Sequence, residues 1–308
     1  MKREGMIGLA LLLPAIVIVF VFRLLPIIYS FRMSLFDWGL AGAIRFVLFG
    51  NYLELLHDPK FLAALINTLY YSIGVVPPTI IGALFFALLL NRPFRARGFF
   101  RTLYYLPVVT SIVAISVVWR WLYNPDRGLL NLFLKVAGLN TSQFLNEPNG
   151  IFSFLFGPSS VFAGPSVALC CIILMSIWKE LGYCIIIYLA GLQNIPGQYH
   201  EAARIDGAGR LQAFFRITLP LLSPTTFYVL IMMTITSFNV FGPIYVMTGP
   251  PPGGPLSTTN VVVHFLYEES FKMWKLGYGS AIAFALFVII FILTRLQKVL
   301  VEKRVHYE

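Results

Sequence analysis

Six apolar runs, each close to the ~20 residues a helix needs to cross a ~30 Å hydrocarbon layer, constrain this chain more than any motif in it. They lie at about Met6–Ser30, Asn67–Leu90, Leu103–Tyr123, Ser166–Leu192, Leu221–Met247 and Tyr278–Leu296. A backbone amide in hydrocarbon has no water to bond, so the runs are predicted to be helices and open strands are excluded. Charge is too scarce for a water-facing surface: 12% of residues are charged, about half the fraction of a soluble domain. The expectation is an all-α polytopic membrane protein with about six transmembrane helices, forming one domain over residues 1–308. Lys2 and Arg3 precede the first run as they would precede a secretory signal. That run is longer than a signal's apolar stretch and lacks a small-x-small cleavage site, so it reads as an anchor.

Lysine and arginine set the orientation. With the N-terminus inside, the inner side holds Lys2, Arg3, Arg92, Arg95, Arg97, Arg101, Arg204, Arg210, Arg216, Arg295, Lys298, Lys303 and Arg304. Those thirteen bases face five acids, Glu4, Glu201, Asp206, Glu302 and Glu308. The outer side has nine bases, Arg23 among them, against seven acids. The predicted orientation therefore places both termini on the cytoplasmic side of the membrane. The sequence pI of 9.6 is a topology signal. No basic stripe with interleaved aromatics is present, which excludes nucleic acid as a partner.

Three connections fall outside, at about Phe31–Ile66, Asn124–Pro165 and Thr248–Gly277, each longer than a structureless link should be. The second carries NPDRGLLN, LNEPNG and FGPSS, which predict short turns and surface helices. Trp119, Trp121 and Tyr123 are placed as an aromatic belt at the outer end of the third run. No GxxxxGK[ST], HExxH, CxxC or GxSxG occurs, so the chain has no phosphate cradle or familiar catalytic motif of its own. Cys170, Cys171 and Cys184 share one apolar run and read as small buried hydrophobes. His57, His200, His264 and His306 lack ligand spacing. No metal site and no enzymatic activity are expected.

Between the fourth and fifth runs lies a polar block, EAARIDGAGRLQAFFRITLP, from Glu201 to Pro220. Pro196 is placed to start a short helix, Ala202 and Ala203 give it a small-residue face, and Gly207 and Gly209 end it. In a second helix Leu211, Phe214, Phe215 and Thr218 recur at i, i+3, i+4 and i+7. An amphipathic helix lying in the headgroups would suit Arg210 and Arg216. Glu201 and Asp206 do not suit it, and a knob that plugs into another protein fits the pattern better.

Glu201-Ala202-Ala203, Gly207 and Ile217-x-Leu219-Pro220 resemble the EAA loop of the membrane subunits of binding-protein-dependent ABC importers. The likeness extends along most of the chain: Pro26 with Ser30–Phe31, NTL at Asn67–Leu69, YLP at Tyr105–Pro107, YLAGLQNIP at Tyr188–Pro196, and NVFGPIYVMTG at Asn239–Gly249. The last piece is similar to carbohydrate permeases of the oligosaccharide and polyol group, and to the larger maltose-permease-type subunit. An Arg-rich second helix and the Phe214-Phe215 pair depart from the pattern. The resemblance implies a type I ABC importer permease fold, in the cytoplasmic membrane of a bacterium or archaeon. It also implies a second permease subunit, two copies of an ATPase that bind ATP and Mg, an extracytoplasmic solute-binding protein and a sugar substrate. No cofactor is implied in this chain itself. Within the cytoplasmic loop 196–220, Glu201, Ala202, Ala203, Asp206 and Gly207 would form the ATPase-coupling surface.

For the solute pathway the fourth run offers Trp178, Lys179, Glu180 and Tyr183, since a mid-membrane charge is costly unless it meets water or a partner. Neighbouring helix positions point about 100° apart, so only part of this cluster can share one lumen; a lumen-edge or inter-subunit ion pair is the other reading of Lys179–Glu180. In the fifth run Asn239 needs a hydrogen-bond partner and Phe241 adds an aromatic face. Pro77, Pro78 and Pro107 interrupt helical ladders, either as packed kinks or as hinges. A rival class, the ion- or proton-coupled secondary transporter, would show inverted repeats and buried relays, of which Glu180 is the sole trace. An intramembrane enzyme would need paired catalytic groups at one depth, and none is evident.

Overall fold

A computed structural model describes residues 2–93, 95–153, 157 and 164–302, with side chains described from 11 to 300. The FGPSS turn apart from Gly157, and the tail residues Lys303, Arg304, His306 and Glu308, lie outside the described residues, as do the side chains of Lys2, Arg3, Glu4 and Glu302. The chain divides into two compact units, Met1–Leu62 with Phe265–Val288, and Ala63–His264 with Ile289–Glu308.

In the first unit, helix α1 (Lys2–Val19) runs through a π turn at Phe20–Leu24 into α2 (Leu25–Ser34). Residues Leu11–Ser34 are apolar enough to cross a membrane and expose their side chains almost throughout. A short antiparallel hairpin follows, β1 (Phe36–Gly39) and β2 (Gly42–Phe46), with a bulge between Asp37 and Trp38. Helix α3 (Gly50–His57) is pinned to the helix–strand junction by Asn51, whose buried amide donates to the carbonyls of Ser34 at 2.8 Å and Phe36 at 2.9 Å. The start of the last helix joins the same unit: Gly277 passes against the Phe36 carbonyl, and the Tyr278 hydroxyl donates to Asp58 at 2.8 Å.

The second unit is built around α8 (Val167–Gln193), whose Leu169, Ile172, Met175 and Tyr188 are completely buried. Preceding it are α4 (Pro59–Leu90), α5 (Arg97–Val109), α6 (Ile112–Leu122) and the surface helix α7 (Leu129–Val136). After it come α9 (Gly197–Ile205), α10 (Arg210–Leu221), α11 (Ser223–Phe238) and α12 (Gly242–Met247), while α13 (Val262–Tyr267) and α14 (Leu276–Glu302) each contribute residues to both units. In lipid, helices gain little from apolar burial against one another, so close approach and dispersion carry the packing. Small residues supply the approach here. Gly182 lets α8 meet the Tyr104 carbonyl of α5, Gly191 admits Thr225 of α11 and Leu222 just before it, and Gly74 and Gly82 of α4 admit Ile173 and Leu181.

Four helices are long and apolar enough to cross a membrane, Leu11–Ser34, Pro59–Leu90, Val167–Gln193 and Leu276–Leu300, each overlapping one of the six apolar runs. The other two are not single rods. The expected Leu103–Tyr123 span is broken into α5 and α6, bent by 98°, and α10 meets α11 at 63° before α12 resumes beyond Asn239–Phe241. The first break falls at Thr110 and Ser111, where the backbone turns extended, three residues past Pro107, which lies inside α5. Pro77 and Pro78 likewise sit inside α4, which continues through them. The aromatic belt is also rearranged. Trp121 is exposed, while Tyr123 is buried, donating to the Cys171 carbonyl at 3.2 Å, and Trp119 packs on Trp178. Cys171 and Cys184 are buried free thiols and Cys170 is half-buried.

The Gly182 contact carries a test. A Cβ at this position would collide with backbone, which cannot yield as a side-chain tip can. Gly182→Val is expected to destabilise the protein by about 1–3 kcal/mol, the usual range for overpacking, seen as a lowered melting temperature in detergent.

Candidate functional site

Along α8, Ser176, Lys179, Glu180 and Tyr183 fall at i, i+3, i+4 and i+7, so they share one face of the helix. That polar stripe opposes α11. Tyr183 bonds Tyr228, and above it a cavity of about 250 Å³ opens between the helices. Its walls bring together four residues that the sequence singles out, Lys179, Glu180, Asn239 and Phe241. They also include four that it does not, Tyr71, Ser176, Thr236 and Ser237. The Tyr71 hydroxyl donates to Ser176 at 2.8 Å, and Ser72 and Ser237 bond at 2.8 Å. The lining therefore holds hydroxyl, amide and carboxyl groups beside aromatic rings. Lys179, Glu180 and Tyr183 stand out in the sequence as polar groups within an apolar run; the serines and Tyr71 of α4 give no such signal.

Lys179 has a structural partner of its own. Its Nζ donates to the carbonyl of Pro107 at 3.1 Å and lies 3.4 Å from that of Thr110. These are carbonyls at the end of α5, where the broken ladder leaves acceptors unpaired and the helix dipole favours a cation. The Thr110 hydroxyl takes the Leu106 carbonyl at 2.8 Å. Lys179 thus closes the α5–α6 bend, and Glu180 is the charged group of the stripe left for the cavity. Asn239 finds its partner within its own turn, donating to the Ile235 carbonyl at 2.8 Å. Phe241 stands in the break before α12, stacked on Tyr245 with centroids 5.3 Å apart. Trp178 faces away from the stripe and packs on Trp119 at 5.7 Å.

The polar block folds as a knob. Helix α9 ends in a Schellman motif, with Ala208 N–H on the Ala203 carbonyl at 2.8 Å and Gly207 N–H on that of Arg204 at 3.1 Å. This closure needs a left-handed residue, and Gly207 supplies it at φ +75°. Glu201, Ala202, Asp206 and Gly207 are exposed, whereas Ala203 turns inward at 7% exposure. Two apolar side chains stand out from the knob, Ile205 at 87% and Leu211 at 71% exposure. Ile205 is a residue the sequence pattern passed over, although an isoleucine directly before Asp206-Gly207 is out of place on a polar turn.

Residues 47–306 match the family described as "Binding-protein-dependent transport system inner membrane component". The chain belongs to that family. It is 34% identical over 301 residues to the probable ABC transporter permease protein YurN of Bacillus subtilis, covering 96% of each chain. It is 32% identical to the sn-glycerol-3-phosphate transport system permease protein UgpA of Yersinia enterocolitica, covering 97% of this chain and 95% of that one. Among solved structures, a chain of a bacterial alginate ABC transporter in complex with alginate pentasaccharide-bound periplasmic protein is similar. Its TM-score is 0.79 at 25% identity, over 96% of this chain and 94% of that one. This permease is therefore an ABC importer subunit with several membrane-crossing helices, and the secondary-transporter reading is set aside.

Removing the Lys179 ammonium leaves carbonyls at the α5 end unpaired. Lys179→Met is expected to cost about 1–3 kcal/mol and to speed amide exchange between Val109 and Ile112. Glu180→Gln should leave that segment's exchange unchanged.

Proposed function

We propose that this permease forms half of a pathway for a sugar or related polyol, handed over by an extracytoplasmic binding protein, and that the Glu201–Gly207 knob couples it to a separate ATPase. Two copies of that ATPase would bind ATP and Mg, and a second permease subunit would face the α8–α11 stripe. The N- and C-termini and the knob would be cytoplasmic, which the distribution of Lys and Arg supports. The observation that carries the coupling assignment is the knob itself, a backbone-locked turn presenting Glu201, Ala202 and Ile205 outward. Small and apolar side chains on such a turn seat closely in a cleft, while Glu201 is free to meet a cation of the ATPase. Ala203 would hold the knob against its own chain rather than touch the partner.

The solute reading rests on the cavity. Hydroxyls and one carboxyl suit a polyhydroxylated molecule, and Phe241 offers a ring for its C–H faces. The relatives support a sugar-like cargo by their own names, one a glycerol phosphate permease and one an alginate importer. Binding on the outer side and nucleotide binding on the inner side are reciprocal if both favour one conformation.

Reconstitution of the whole complex tests both assignments. Glu201→Lys is expected to leave the permease in the membrane while solute uptake is lost and ATP hydrolysis no longer responds to loaded binding protein. Normal uptake with that variant would sink the coupling role. Ser237→Val should reduce uptake about tenfold, as expected for one buried hydrogen bond, with ATPase subunits still bound; unchanged uptake would remove the cavity from the pathway.

A further inference from the structure

Arg97 opens α5 and Arg101 follows one turn later. Both guanidiniums turn toward the last residue of α8. With its amide oxygen facing them, Gln193 accepts from Arg97 and from Arg101, each at 3.2 Å. Two cations thus share one neutral acceptor. Like charges at i, i+4 repel, and a single amide oxygen does not neutralise them. Among the described residues neither guanidinium has a carboxylate partner, and the Nε of each is buried without a hydrogen bond. The N-terminal turn of α5, a helix of 13 residues, adds a dipole of the same sign. The cluster is short of a counter-ion.

What lies beside it is apolar. Beginning at Phe100, next to Arg101, a cavity of about 520 Å³ runs along the inside of the α5–α6 bend. Leu103, Leu106 and Pro107 form one wall and Trp119, Trp178 and Leu181 the other. A free anion would satisfy the arginines and leave this cleft empty. A zwitterionic headgroup would bring its own cation to a site already rich in positive charge.

We propose that Arg97, Arg101 and Gln193 hold the phosphate of an anionic phospholipid, with one acyl chain lying in the cleft between α5–α6 and α8. The lipid would brace the bend from its open side while Lys179 braces it from within. The site uses neither the coupling knob nor the α8–α11 stripe, so it stands apart from the transport assignment above.

The test uses the full permease in its complex, in nanodiscs, with phosphatidylglycerol or phosphatidylcholine brominated on the acyl chains. Bromine quenches tryptophan on contact, and Trp119 and Trp178 line the cleft. Phosphatidylglycerol is expected to quench well below the mole fraction at which phosphatidylcholine does, and W119F/W178F to lose that lipid-selective part. Each arginine removed should weaken the preference about five-fold, so R97Q/R101Q approaches phosphatidylcholine behaviour and R97K/R101K retains most of it. If the double glutamine variant does not assemble, R101Q alone should show the single five-fold step. Millimolar inorganic phosphate at constant ionic strength should not relieve the quenching. Equal quenching by the two lipids, an unchanged R97Q/R101Q or R101Q, selectivity that survives W119F/W178F, or full relief by inorganic phosphate would each overturn the proposal.

Discussion

The ammonium of Lys179 over the carbonyl end of α5 is the contact on which the second unit depends. A helix that ends inside a membrane must return its last carbonyls to some donor, since lipid offers none. Here the backbone turns extended at Thr110 and Ser111, the chain bends by 98°, and a lysine from the central helix meets the loose end. The bend carries α6 to its place beside α12, and with it Ile112, which lines the polar cavity. It also leaves a concave apolar cleft on its other side. One charge–dipole contact thereby shapes both surfaces of the α5–α6 element.

Much of this fold could be read from the chain. Four helices long and apolar enough to cross a membrane overlap predicted runs, although α4 starts at Pro59 rather than Asn67, and the polar knob turns at Gly207, because each signal is local: run length, cap chemistry, helical period. The losses share a cause. The partner of Lys179 sits 72 residues away, and nothing in the sequence around Trp178–Tyr183 names it. The same holds for Tyr71 on Ser176, 105 residues apart, and for Gln193 under Arg97 and Arg101. Asn239 is a local case, and it stands in the wall of the polar cavity. The partner its amide needs is the carbonyl of Ile235, four residues back.

The split between neighbours in α8 shows how one short stretch serves two purposes. Trp178 turns to Trp119 and the apolar cleft, while Glu180 turns to the cavity with Ser176 and Tyr71. Lys179 stands between them and ties the two together through the α5 terminus. A displacement of α8 along its axis would therefore be felt at once in the bend, the cleft and the polar wall.

The closure at Gly207 has a further consequence. The turn from Ala202 to Ala208 is specified by main-chain hydrogen bonds and one left-handed residue, with only Ala203 packed inward. Its shape is thus independent of what Glu201, Ile205 and Asp206 present outward. A plug of this kind can change its lettering while keeping its outline, so that fit to a partner and stability of the turn are separately adjustable.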